Sequence, residues 1–285
     1  MLTILSTLLA QHWRDLAPYL VLLAALHALV ELGVPALWPE AYDALNAGAA
    51  AAGKPLRSRR ELARDVRTRV VASLFSVYVV GSAVWGVWAG DYAALAGAGF
   101  SASTPLTAHL VRVAAAFFLW DTYVCVADGY APAYIFHGLA CTAVFVMALR
   151  PTMQGMSLVV LGFEASTPLL HTRLLLIAAD RARGRCFAAT TYGFAATFFL
   201  SRIAIGYPLS LAWGRQVVME LIQPAQGTPP IILVAYLVLC VSLSALNGYW
   251  FVKIVAVAVW GGGAKARKQH GEPAARSRAE SCKIE

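Results

Sequence analysis

The sequence predicts an all-α, polytopic membrane protein with about seven transmembrane helices. Three observations carry this. Hydrophobic residues make up 59% of the 285, charged residues only 13%, and the mean hydropathy is +0.64, too much apolar surface for one water-soluble core. Seven apolar runs have roughly the 20-residue length that spans a hydrocarbon core. The alternating pattern of a barrel strand is absent, and lipid offers no partner to an unpaired backbone amide, so the spans must be helices.

In order, the spans are expected at Ala17 to Trp38, Val70 to Gly90, Thr107 to Ala127, Ala133 to Leu149, Met153 to Ala179, Phe187 to Trp213 and Ile231 to Trp260. The fourth is short, and the last is long enough to tilt or to continue past the membrane. Met1 to Ala10 is apolar but lacks a basic start and runs directly into Gln11, His12 and Arg14, so no cleaved signal peptide is expected. "SRRELARDVRTR", residues 58 to 69, carries a Ser-x-x-Glu capping box and predicts a cytosolic helix leading into the second span. "NAGAAAAGKP" before it, and the tail after Gly261, read as flexible connector and disordered end.

Positive charge gives the orientation. The connection from Pro39 to Arg69, the turn around Arg181 to Arg185 and the tail together hold sixteen of the 23 basic residues, all on one side if there are seven spans. Only Arg14, Arg150 and Arg215 fall opposite. The positive-inside rule then predicts a luminal or exterior N-terminus and a cytosolic C-terminus. The net charge of +8 is an orientation and membrane-surface signal, and no nucleic-acid partner is expected. The cysteines show no spacing for zinc or for a disulfide framework, and no metal is expected.

Within the spans lie Arg112, Arg173, Arg202 and Lys253, with Glu31, Asp121 and Glu164, and the polar His27, His137, His171 and Asn247. An isolated charge at bilayer depth costs ~3 kcal/mol or more, so these groups must face one another or a wet cavity. Arg112 and Lys253 lie near the membrane faces and can snorkel. His27 and Glu31, at i and i+4, read as a local pair. Glu164, Thr167 and His171 fall on one helical face. Pro168 removes a donor and clashes with the Glu164 carbonyl, so the fifth span should kink or open there. Arg202 reads as a structural counter-ion and Asn247 as interhelical glue.

The series "FFLWDTY", "YIFHGLA", "GFEASTPLLHTR", "FFLSRIAIGYP" and "LNGYWFVKI" on successive helices resembles the TLC-domain superfamily, over roughly Arg69 to Trp260. The resemblance implies an endoplasmic-reticulum or related endomembrane protein in which six helices form a TLC-type bundle around a central, lipid-sized cavity, with one helix in front. The expected organisation is an N-terminal helix and basic connector over 1–68, the TLC domain over 69–262 and a cytosolic tail over 263–285. Ceramide synthases of this superfamily carry paired histidines on one helix and a His-Asp-x-x-Asp motif on the next. Here the first reads only His137-Gly138, and the second reads Phe163-Glu164-Ala165-Ser166-Thr167, keeping one acid. The pattern is closer to the short TLC members, described through their influence on membrane lipid composition.

If acyl transfer persists, His137 paired with Glu164 or Asp121 is the candidate catalytic set, since a carboxylate can fix an imidazole that titrates near neutrality. The bland reading of His137 is a neutral core histidine. Thr167, His171, Arg173, Arg202 and Asn247 complete the expected polar cluster. The expected function is therefore binding or sensing of a membrane lipid (sphingoid base, ceramide or fatty acyl chain), contributing to lipid homeostasis. Alternatives are an N-acyltransferase with acyl-coenzyme A as co-substrate, no other cofactor being implied, and a trafficking or chaperone adaptor for membrane cargo. A homo-oligomer stays open.

Overall fold

The computed structural model describes residues 2–37, 39–51, 53, 55–91, 95, 102–150, 153–182, 184–224 and 227–269. Among them every regular element is helical. They are α1 (Leu2–Leu37), α2 (Glu40–Ala51), α3 (Arg59–Trp88), α4 (Pro105–Ala127), α5 (Pro132–Met147), α6 (Gln154–Gly162), a 3₁₀ turn (Phe163–Ser166), α7 (Thr167–Ala178), α8 (Gly184–Phe198), a π-helical stretch (Phe199–Ile205), α9 (Gly206–Ile222) and α10 (Pro230–Gln269). Five segments are long and apolar enough to cross a membrane: Leu2–Val34, Arg59–Trp88, Pro105–Ala127, Gly184–Ile222 and Pro230–Val257. Pro132–Met147 is a shorter apolar helix, as the fourth run suggested, and α6 to α7 is one rod interrupted by the 3₁₀ turn.

Six rods close into a ring: α3 packs on α6 and α7, α7 on α8, α9 on α10, α10 on α5, α5 on α4, and α4 back on α3. The first helix lies outside this ring, against α3 and α4. The fourth is the buried strut. More than half of its apolar window (56%) is buried, against 17% for Gly184–Ile222. Ala114, Ala115 and Ala116 are fully covered, while Phe117 stacks on Phe75 at 3.6 Å and Phe118 on Phe145 at 5.4 Å. Small residues let helices approach closely in lipid, where no hydrophobic drive holds them together. At the α4–α5 contact the closeness is tightest at Gly138, where a Cβ would stand 2.7 Å from Thr122 Oγ1 and 3.3 Å from its Cα.

Three expectations are corrected. Residues 46–51 of the stretch expected as flexible connector form the second half of α2, because their alanines are strong helix formers and the helix packs across α7. The last helix runs on to Gln269, into the segment read as disordered tail; residues 270–285 of that tail lie outside the described residues. Arg67, read with the other basic residues of its connection as a membrane-surface charge, is buried with its side chain 5% exposed. Its Nη1 donates to Glu31 (2.6 Å) and its Nη2 to Asp128 (2.5 Å), tying the ends of α1 and α4 to the start of α3. The expected His27–Glu31 pair is present at 3.1 Å. Trp120 Nε1 can only donate, and it reaches His27 Nδ1 at 3.2 Å, so the imidazole proton sits on Nε2, toward Glu31.

At the start of α3 the capping box forms as read: Ser58 N–H donates to Glu61 Oε2 (2.7 Å) and Glu61 N–H to Ser58 Oγ (3.3 Å). The backbone N–H of Ser58, then its hydroxyl, hold the Glu61 carboxyl below its usual range. A lowered folded-state value means that its contribution is present above the ordinary carboxylate range and fades as pH falls through the lowered one. Protection of the amides in the first turn of α3, taken relative to the intrinsic exchange rate at each pH, should therefore fall on acidification in the wild type and lose this dependence in Glu61→Gln. Replacing Arg67 by Met leaves Glu31 and Asp128 without their buried counter-ion and should cost about 3 kcal/mol in detergent unfolding, more than Arg60→Met on the exposed side.

Candidate lipid site

Pro168 organises the site through a chain of backbone consequences. It offers no N–H to the carbonyl of Glu164. That carbonyl instead accepts from Thr167 N–H, three residues on, which is the 3₁₀ turn. Thr167 N–H is then lost to the carbonyl of Phe163, its partner in a regular α-helix. The freed Phe163 carbonyl accepts from Arg202 Nε at 3.1 Å. The interruption predicted from proline is thus what creates a docking point for a buried guanidinium.

Arg202 completes the knot across three rods. Its Nη2 donates to Glu164 Oε1 at 3.0 Å and its Nη1 to Asn247 Oδ1 at 3.0 Å. The second carboxylate oxygen, Oε2, accepts from Thr167 Oγ1 at 2.7 Å. The guanidinium also lies 5.4 Å from the centre of the Phe198 ring. Glu164, Arg202 and Asn247 are all buried. Such a pair is tolerable at membrane depth because each charge meets its opposite and both are hydrogen-bonded. Three of the five guanidinium N–H groups are used in these bonds, leaving two for other acceptors.

The backbone around Arg202 is π-helical, which sequence reasoning missed. The signal was Pro208: it has no N–H for the Ala204 carbonyl, and a disturbed ladder before a proline is a common cause of such widening. Gly206 sits where a Cβ would come within 3.0 Å of the Phe163 ring, so the widened turn can lie directly on the 3₁₀ turn.

Beside this knot opens a cleft enclosing about 1000 Å³ with its mouth included. Its polar end holds His137, Glu164, Arg202 and Asn247. From there it runs between α5, α6, α9 and α10 past Cys141, Phe145, Leu161 and Leu243 to Trp213 and Tyr236. The wall from His137 to Ala148 on α5 covers about 16 Å of helix at ~1.5 Å per residue. Tyr207, Ser210 and Ser244 add hydroxyls that the sequence reading did not select. Tyr207 already donates to the Ser244 carbonyl at 2.9 Å.

The expected site residues divide into two groups. Glu164, Thr167, Arg202 and Asn247 are hydrogen-bonded together, and His137 lines the same cleft. His137 makes no hydrogen bond to either carboxylate among the described residues. Its ring lies 3.7 Å from Cys141 Sγ and between Phe118 and Trp250. Asp121 is outside the cleft lining, with Oδ2 3.5 Å from where a Gly138 Cβ would stand. His171 turns to α3, its Nδ1 2.9 Å from the Arg69 carbonyl, and Arg173 lies over the Phe187 ring at 5.6 Å. Spacing placed Glu164, Thr167 and His171 on one face of a regular helix. The 3₁₀ turn between them breaks that regularity, and His171 is taken up by a neighbouring backbone.

Removing Arg202 alone, as Arg202→Met, strands the Glu164 charge and should destabilise the bundle by about 3–5 kcal/mol, against about 1 kcal/mol for Asn247→Ala. Adding Glu164→Gln to Arg202→Met should recover part of that loss, and a double-mutant cycle in detergent measures the recovery.

The family model described as the TLC domain matches residues 65–256, which reach all six rods of the ring, ending in the second half of α10, and leave α1 and α2 outside. No curated protein and no solved structure is significantly similar to the chain.

Proposed function

The chain belongs to the TLC-domain family, and we propose that it binds or senses a membrane lipid in its intramembrane cleft and so contributes to membrane lipid homeostasis. One observation carries the reading: an apolar cleft inside the ring ends on a charge-balanced, hydrogen-bonding head formed by Glu164, Arg202 and Asn247. Lipid sites need that polarity, with a greasy channel for the chain and fixed polar groups to orient the head.

Binding is preferred over acyl transfer because the groups that would do the chemistry are otherwise engaged. The Glu164 oxygens accept from Arg202 and from Thr167, and neither is hydrogen-bonded to His137 among the described residues. His137 has sulfur and aromatic neighbours in place of an acid. A carboxylate fixes an imidazole by accepting from its ring N–H, and His137 makes no such bond among the described residues. The clustering of basic residues at the start of α3 and around the start of α8 supports a cytosolic position for that face and a luminal or exterior N-terminus, and membership of the TLC family is what supports an endomembrane location.

The test is mass spectrometry of lipid retained by the full chain after mild extraction. The wild type should keep one lipid class. Leu243→Trp, which fills the cleft from α10, should lower retention by about tenfold, the equivalent of ~1.4 kcal/mol. Equal retention by both proteins would remove the proposal. Amide formation from sphingoid base and acyl-coenzyme A, abolished by His137→Ala, would replace it with the acyltransferase reading. Membrane cargo captured equally by the wild type and by Leu243→Trp emptied of lipid would favour the adaptor.

A further inference from the structure

A second groove lies on the outside of the ring, between α3 and α7. It is lined by Arg69, Val70, Ser73, Leu74, Val77, His171, Thr172 and Leu175, and encloses about 460 Å³ with its open side included. Leu74 and Val77 are 52% and 63% exposed, and both lie within an apolar spanning helix, so this exposure faces hydrocarbon. From Arg69 to Val77 the groove descends about 12 Å at ~1.5 Å per residue. Its head is therefore at the basic end of α3, and its floor runs into the membrane.

The head of the groove is cationic and only partly satisfied. A single carboxylate, Asp65, is shared there by two guanidiniums, Arg69 Nη2 at 2.6 Å and Arg57 Nη1 at 3.3 Å, so the trio keeps one net positive charge. Arg69 Nε is buried without a hydrogen-bond partner, and Nη1 makes no hydrogen bond among the described residues. Just below, polar atoms are set for a second contact. The Arg69 carbonyl can only accept, so the His171 proton is on Nδ1, 2.9 Å away. Ser73 Oγ stands 3.3 Å from the same nitrogen and keeps its own proton free to donate. The vertical order is thus a guanidinium, then a hydroxyl donor, then branched aliphatic side chains.

That order matches a phospholipid: phosphate, ester carbonyl, acyl chain. We infer that this groove is a binding site for a phospholipid with an anionic headgroup, drawn from the leaflet on the Arg69 side, its phosphate on Arg69, an ester oxygen on Ser73 and one chain along Leu74, Val77 and Leu175. A zwitterionic headgroup carries its own cation and gains less from the unbalanced charge. The site is separate from the central cleft and does not depend on what occupies it.

The full chain in mild detergent, offered equal amounts of phosphatidylglycerol and phosphatidylcholine with matched chains, tests this by native mass spectrometry. The wild type should retain phosphatidylglycerol over phosphatidylcholine by about fivefold, the effect of one basic side chain beside an anionic lipid. Arg69→Gln should bring the ratio to about one, and Arg69→Lys should keep it. Val77→Trp, at an exposed position where bulk does not disturb the core, should lower retention of both lipids by filling the groove. Leu243→Trp, which blocks the central cleft, should leave the preference intact, so failure here and failure of the central site are read separately. No preference in the wild type, a preference that survives Arg69→Gln, retention unchanged by Val77→Trp, or equal competition by chainless glycerol phosphate would each overturn the inference.

Discussion

A guanidinium cannot stand alone in hydrocarbon, and the inner half of this structure is arranged around meeting that constraint for Arg202. Its partners come from the carboxylate of Glu164, the amide of Asn247 and a backbone carbonyl released by a proline. Three rods, two of them also joined by the Tyr207–Ser244 hydrogen bond, are thereby brought to one point. Because the charges cancel there, the adjoining cleft can stay apolar over most of its wall while ending on hydrogen-bonding groups. The same knot that keeps the bundle in register therefore also defines where a ligand would stop.

Irregular backbone and site coincide twice. The 3₁₀ turn before Pro168 and the π-helical stretch before Pro208 lie against each other, with the Phe163 ring over Gly206. In a membrane, departures from the α-helix are tolerated only where freed groups find protein partners. Here the freed carbonyl of Phe163 finds Arg202, and the turn becomes part of the polar end of the cleft with that carbonyl paired.

A second buried arginine, Arg67, does for the outer helix what Arg202 does for the ring. It holds Glu31 of α1 and Asp128 beyond α4, and His27 and Trp120 complete the cluster. One such knot is at the basic end of the bundle and one is in its interior, so helix register is set by a few charged contacts as well as by packing of small residues along α4.

The sequence by itself determined that the chain is a helical membrane protein, roughly where its rods lie, that Pro168 must open the fifth of them, and that its interior charges had to converge. Those follow from local rules, the length of an apolar run, the missing amide of proline and the cost of a bare charge in lipid, each of which acts within one segment. Only the tertiary structure decided which charges converge. Arg202 found Glu164 and Asn247, whereas His171 and Arg173, equally polar and one or two turns away, were claimed by the Arg69 carbonyl and the Phe187 ring. Arg67 went inward although Arg60 and Arg64 on the same helix stay exposed, and the first part of the alanine-rich connector joined α2. A side chain's partner depends on the rotation and depth of helices distant in sequence, and on broken turns that shift the phase of a face; neither quantity is written in the spacing of residues along one helix.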